Sequence, residues 1–103
     1  MAAQILALYQ PPADVAAFDA YCYGTHVPLA KNIPGLRSYV TNRGEIAAAA
    51  GTSPYHLVAM LNFDSVEAIQ AAMASPEGQA TLADVPKFAS GGVVVLTLDL
   101  QTV

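Results

Sequence analysis

Apolar positions fall in short runs whose periodicity switches between two and 3.6 residues, and the switches mark the elements. Gln4 to Gln10 is an apolar run ended by Pro11-Pro12, which predicts a first strand. Asp14 then precedes Val15, Phe18, Cys22, Thr25, His26 and Leu29, which fall within an arc of roughly 100° on a helical wheel. That spacing predicts a helix with one buried face, its first-turn amides capped by the Asp14 carboxylate. Asn32 to Gly35 ends it, and Leu36 to Arg43, with Tyr39, Val40 and Thr41, predicts a second strand. Glu45 to Pro54 reads as a surface loop. Tyr55 to Phe63 predicts a third strand. Asp64-Ser65-Val66-Glu67, an acidic cap with a glutamate three residues on, announces a second helix that carries Val66, Ile69 and Met73 on one side. It stops near Ser75-Pro76, a further helical piece spans Pro76 to Ala83, and Val93 to Leu100 is the clearest strand in the chain.

The order β-α-β-β-α-β over residues 1–103 predicts a single α+β domain, a four-stranded antiparallel sheet with its helices on one face in the ferredoxin-like arrangement. The second face of the sheet raises a difficulty. Leu57, Ala59, Leu61 and Phe63 point one way along strand three, yet Val58 and Met60 point the other. Strand four repeats this, with Val93 and Val95 opposite Val94, Leu96, Leu98 and Leu100. Helices cover only one face, and a bare apolar sheet exceeds the patch a soluble monomer tolerates. A homodimer packed sheet to sheet is the expected solution.

Composition narrows the partners. Of 103 residues 54% are apolar and 12% charged, and the net charge is −4 with only Lys31, Arg37, Arg43 and Lys87 basic. Disorder is excluded, and neither a nucleic-acid backbone nor an anionic membrane surface finds a basic patch. No apolar run approaches the ~18 residues needed to span a bilayer. The N-terminus lacks a basic segment of the secretory type, and a lone Cys22 offers no internal disulfide. A cytoplasmic protein is expected.

The segment Phe18-Asp19-Ala20-Tyr21-Cys22-Tyr23-Gly24-Thr25-His26-Val27-Pro28-Leu29, followed by Ile33-Pro34-Gly35-Leu36, resembles the EthD family of the dimeric α/β-barrel superfamily. That family's first helix carries an aromatic residue, a Tyr and Trp pair and His-x-Pro-Leu, with Pro-Gly-Leu leading into strand two. Phe63-Asp64-Ser65, Ser75-Pro76-Glu77-Gly78, and Asp84 with Phe88 extend the likeness along essentially the whole chain. Cys22 stands where the family usually has an aromatic, and Tyr23-Gly24 replaces a usually charged pair, so the pocket beside the helix differs in shape. The family is named for a protein encoded with ether-degrading genes, and related barrels include cofactor-free monooxygenases, isomerases, cyclases and dehydratases. The resemblance therefore implies an apolar pocket between helices and sheet and chemistry on a small hydrophobic molecule in catabolism or secondary metabolism.

His26 is the candidate catalytic residue. Pro28 removes a helical hydrogen bond and clashes with the carbonyl at Gly24, so the helix is expected to kink or loosen beside the histidine. An imidazole facing a cavity there suits proton transfer near neutral pH, and a dry pocket disfavours its charged form, which keeps it available as a base. Tyr21, Cys22, Phe18 and Tyr39 are the candidate substrate-binding residues, with Tyr21 positioning an oxygen. On the apolar arc Cys22 reads as packing rather than as a nucleophile. His56 reads as a solvated or interfacial histidine, and Asn42 with Arg43 as strand-end polar residues. Cys22 and His26 share a helical face, but no third and fourth ligand accompanies them, so no metal is expected. No phosphate loop or dinucleotide fingerprint appears, so no cofactor is expected either. The leading expectation is a cofactor-independent enzyme of isomerase, cyclase, dehydratase or monooxygenase type acting on a small apolar or aromatic carbonyl compound. The alternative is an accessory protein that holds a hydrophobic metabolite without proton transfer, which the absence of an evident acidic partner for His26 favours.

Overall fold

A computed structural model describes residues 2–103. Its strands are β1 (Ala3–Tyr9), β2 (Ser38–Thr41), β3 (Leu57–Phe63) and β4 (Val93–Asp99), and its α-helices are α1 (Val15–Tyr21), α2 (Val27–Ala30), α3 (Val66–Ala74) and α4 (Pro76–Asp84). The sheet order is β2-β3-β1-β4 with every neighbouring pair antiparallel, the α+β ferredoxin-like fold. β2, β3 and β4 lie within the spans that the apolar runs predict, and β1 is shifted one residue toward the N-terminus of its expected span.

Strand alternation sets the core. Ala3, Ile5, Ala7 and Tyr9 of β1 and Leu57, Ala59, Leu61 and Phe63 of β3 are buried beneath the helices, joined by Phe18, Cys22, Ile69 and Phe88. Each large apolar side chain buried this way contributes roughly 1.5–3 kcal/mol, which makes this face the main source of stability. On the opposite face the register aligns Val40, Met60, Leu6 and Leu96 in one row and Val58, Leu8 and Val94 in the next. No helix lies over them, and Val40, Val94 and Leu96 are between 40% and 47% exposed. At one end of this face a polar row interrupts the apolar surface: Gln4 Nε2 donates to Asn62 Oδ1 at 2.9 Å, and Asn62 Nδ2 donates to Ser38 Oγ at 2.9 Å.

Two local details differ from the sequence expectation. The cap of α3 is Ser65, whose side chain accepts from the Ala68 amide at 3.0 Å. Asp64 instead meets Arg37 in a two-pronged ion pair at 3.1 and 2.6 Å. A serine hydroxyl in extended backbone reaches the third amide of the helix, and an arginine fork captures the neighbouring carboxylate, so the capping box does not form. Asp14 does cap α1, accepting from Ala17 at 3.1 Å.

The first helix is not continuous. Between α1 and α2, Cys22–His26 form a π-helical turn in which the Val27 amide donates to the Cys22 carbonyl, five residues back. Pro28 follows at the start of α2 without an amide to offer, and Gly24 sits in the middle of the turn. The expected loosening therefore takes the form of one wide turn placed just before the proline. Phe18, Cys22 and His26 stay inside, whereas Thr25 within the wide turn is exposed and Val15 in the first turn of α1 is 48% exposed.

Candidate functional site

His26 closes the π-turn, and its ring is buried. Its Nδ1 lies 2.9 Å from Oδ2 of Asp84, the last residue of α4, 58 positions along the chain. Only 4% of the His26 side chain and 6% of the Asp84 side chain are exposed. The Tyr21 hydroxyl donates to the other oxygen, Oδ1, at 2.7 Å, and Lys87 Nζ stands 3.9 Å from it. Burial pushes the Asp84 carboxyl up, but the donated Tyr21 hydroxyl, the His26 ring and the Lys87 ammonium together hold it below the ordinary carboxylate value. The same hydrogen bond pushes the Tyr21 phenol up, chiefly because a phenol that donates to a carboxylate resists losing its proton. Asp84 is thus an ionised carboxylate that fixes the imidazole with its Nδ1–H inward. Nε2 makes no hydrogen bond among the described residues.

That nitrogen belongs to a ring in the wall of a small cavity of about 50 Å³ between sheet and helices. Ile5, Ala7, Leu61, Met73 and Val95 supply apolar wall, and Tyr9 and Tyr39 line it as well. Tyr39, expected at the site, is therefore beside His26. Tyr21 is one step removed, bound to the carboxylate behind the histidine, and neither it nor Phe18 nor Cys22 borders this cavity. Phe18 packs edge-on against Tyr9 at 5.5 Å between ring centroids, and burial pushes the Cys22 thiol up to about 11, where it is an inert packing group at neutral pH. Phe88 lies 4.7 Å from the His26 ring and backs it.

The other histidine also has a carboxylate. His56 Nε2 lies 2.8 Å from Asp19 Oδ1, but 23% of its side chain and 44% of that of Asp19 are exposed. Both line a broad open groove of about 880 Å³ beneath the 44–55 loop, with Tyr23 and Asn42. Asn42 is engaged in holding the loop: its Oδ1 accepts from the Val58 amide and its Nδ2 donates to the Gly44 carbonyl, each at 2.8 Å. The larger groove is open and its His56, Asn42 and Tyr23 side chains are paired within the protein, whereas the small cavity is bordered by the buried imidazole. Desolvation gives fixed charges and dipoles their catalytic leverage, so the small cavity is the candidate active site. Among the described residues no three His, Cys, Asp or Glu side chains gather as a metal site would require.

The sequence reading missed two participants. Asp84 had a signal, since it stands in the stretch shared with the EthD pattern, but nothing local ties it to His26. Tyr9 had none beyond being a tyrosine on an inward strand position.

The chain belongs to the EthD family: residues 10–92 match the EthD domain model. It is 41% identical over 100 residues, 97% of this chain and 96% of the relative, to the uncharacterized 11.0 kDa protein in the thcB–thcC intergenic region of Rhodococcus erythropolis. Among solved structures it is similar to an EthD family protein from Bacillus halodurans, at TM-score 0.89 and 34% identity, covering 98% of this chain and 100% of that one. At lower identity the same fold recurs in a dimeric ferredoxin-like protein of unknown function from Thermobifida fusca, with TM-score 0.70 and 19% identity over 97% and 92% of the two chains. It recurs too in SnoaB, a cofactor-independent oxygenase from Streptomyces nogalater, with TM-score 0.69 and 11% identity over 99% and 95%.

Proposed function

We propose that this protein is a cofactor-independent enzyme that moves a proton on a small apolar carbonyl compound, with His26 as the base. The observation that carries the reading is the buried His26–Asp84 pair at 2.9 Å, in a ring that borders an apolar cavity. In the step, Nε2 of the neutral imidazole takes a proton from the carbon next to the carbonyl. The C–H electron pair passes into a carbon–carbon double bond, and the carbonyl π pair passes to oxygen as an enolate. The imidazolium so formed is stabilised by the Asp84 carboxylate, which keeps its negative charge, and the proton is returned to a carbon of the product. Tyr21 acts as a positioning residue by holding Asp84. This step is common to isomerisations, dehydrations and cyclisations, and the cavity needs no cofactor to begin it. The fold it shares with SnoaB, a cofactor-independent oxygenase, supports chemistry of that kind on this scaffold.

The working unit is proposed to be a homodimer joined through the apolar rows of the open face. A monomer would leave the Val40–Met60–Leu6–Leu96 row in water, and the Thermobifida fusca neighbour of the same fold is dimeric. Among the described residues no helix is long and apolar enough to cross a membrane, and the single buried thiol suits a reducing, cytoplasmic setting.

Deuterium exchange tests the reading. A panel of small aromatic ketones and lactones is incubated with the protein in D₂O and followed by proton NMR. At least one compound is expected to exchange its α-proton faster with wild type, and His26→Gln is expected to slow that exchange about 10²–10⁴-fold. Tight binding of the same compounds with no exchange would overturn the catalytic reading in favour of a carrier of hydrophobic metabolites.

A further inference from the structure

Apart from His26, two side chains in the cavity wall carry polar atoms with no partner. Tyr9 is 2% exposed, yet its hydroxyl makes no hydrogen bond among the described residues. The half-buried Tyr39 hydroxyl likewise has none. Among the described residues no sealed side-chain polar atom lacks a partner, so these two hydroxyls keep accessible surface, and two free donors on residues lining one small cavity are donor capacity available to a ligand. The other hydroxyls nearby are committed elsewhere: Thr81 donates to the Glu77 carbonyl at 2.8 Å, Tyr21 donates to Asp84, and Tyr23 is paired with Thr41 at 3.1 Å.

We propose that the Tyr9 and Tyr39 hydroxyls form the oxyanion site of this cavity, donating to the substrate oxygen as it gains charge while His26 removes the neighbouring proton. The inference rests on the reading of His26 as base and names the substrate class more closely: an enolisable, otherwise apolar carbonyl compound with one oxygen seated between the phenols. Neither tyrosine gives up its proton in the step. Each donates a hydrogen bond that strengthens as the enolate forms, and the only proton transferred goes from carbon to Nε2.

Electrostatics support the assignment. Burial is the main cause that pushes both phenols well above their ordinary range, so each remains a protonated donor throughout the physiological range. For Tyr9 the next cause is the Tyr39 phenol, which lines the same cavity. No lysine or arginine lines the cavity, so these hydroxyls are the donors a developing oxyanion would meet among the lining side chains beside the base. Leu82 of α4 and Val95 of β4 line the cavity and are 42% and 46% exposed, so the cavity wall reaches the surface at these two side chains. A ligand larger than about 50 Å³ is accommodated by displacing these side chains and the flexible Met73.

The test uses a nitrophenol that is already ionised at pH 8, a stable mimic of an enolate whose binding requires no proton transfer. Wild type is expected to bind the nitrophenolate with a shift in its visible absorption. Tyr9→Phe and Tyr39→Phe, which keep the rings and so the packing, are each expected to weaken binding about 10–100-fold, the loss of one hydrogen bond to a charged oxygen. Tyr55→Phe, at a tyrosine outside this cavity's lining, is expected to retain binding within a few-fold. Failure of wild type to bind the nitrophenolate, or equal binding by wild type and both phenylalanine variants, would overturn the oxyanion site. The base reading would still stand on its own if His26→Gln abolished α-proton exchange. Conversely, tyrosine-dependent nitrophenolate binding without any exchange by wild type would keep this site and sink the base.

Discussion

The His26 ring and the Asp84 carboxylate sit 2.9 Å apart although α4 delivers one and a π-turn in the first helix the other. The pair converts a histidine without an evident acidic partner into an oriented base. It also means that the chemistry is exposed to damage at two distant places in the chain, at the π-turn and at the end of α4.

Asp84→Asn keeps the shape of the carboxylate but removes the charge that fixes the tautomer and stabilises the imidazolium. It is expected to slow α-proton exchange about 10²–10⁴-fold, comparable to loss of His26 itself, because the two act as a unit. Tyr21→Phe should cost much less at neutral pH. Its effect is read in the pH profile: without the donated hydroxyl the Asp84 carboxyl is held down less strongly, so the acid limb of the exchange rate moves to higher pH. A profile unchanged by Tyr21→Phe would show that the hydroxyl does not act through Asp84.

Stability should carry the same signature. The Asp84 carboxyl titrates lower in the folded protein than the ordinary value near ~3.9 it recovers on unfolding, so its contribution is complete above that value and is lost as pH falls through the folded one. Urea midpoints measured from pH 7 down to pH 3 are expected to fall over the last unit and to fall less steeply in Asp84→Asn. Asp64 is lowered too, by Arg37, but that pair is exposed, so added salt should erase its share and leave that of Asp84.

The open face predicts the oligomer. Light scattering should return twice the 10.7 kDa of one chain for wild type. Leu6 lies in the middle of the apolar row on the central strand β1, so Leu6→Glu would bury a charge in the interface and is expected to give monomers at micromolar concentration. Leu96→Lys on the outer strand should weaken the dimer less. A monomeric wild type would refute the sheet-to-sheet assembly.

Two glycines make opposite predictions. A methyl on Gly78 would run into the Ala72 carbonyl oxygen and the Met73 backbone where α4 doubles back on α3, so Gly78→Ala is expected to destabilise the fold by roughly 1–3 kcal/mol. A methyl on Gly24 would meet nothing within 4 Å, so Gly24→Ala is expected to be neutral or to stabilise by up to about 1 kcal/mol. Denaturant titration of both variants settles the contrast. Stabilisation by Gly78→Ala would show that the junction between the two helices is loose.

Alternation along β1 and β3, the turn residues and the apolar arc around Phe18, Cys22 and His26 determined the element order, the inward face of the sheet and the need to cover the other. Those properties are legible because a strand repeats every two residues and a helix every 3.6, so the burial of each side chain is recorded among its close neighbours. Which groups share the cavity is not recorded there. The His26–Asp84 contact spans 58 residues, and Tyr9 and Tyr39 reach the same space from β1 and β2 only after β3 has been laid between them. Tyr21, four residues short of Thr25 on the same helix, looked nearer to the chemistry than Tyr9, but its hydroxyl turns to Asp84 behind the ring. The sequence by itself placed the histidine on the buried side of a helix that a proline would disturb. Only the packing of α4 against that helix chose its carboxylate, because a contact between distant elements depends on the register and angle of both and leaves no period in the chain.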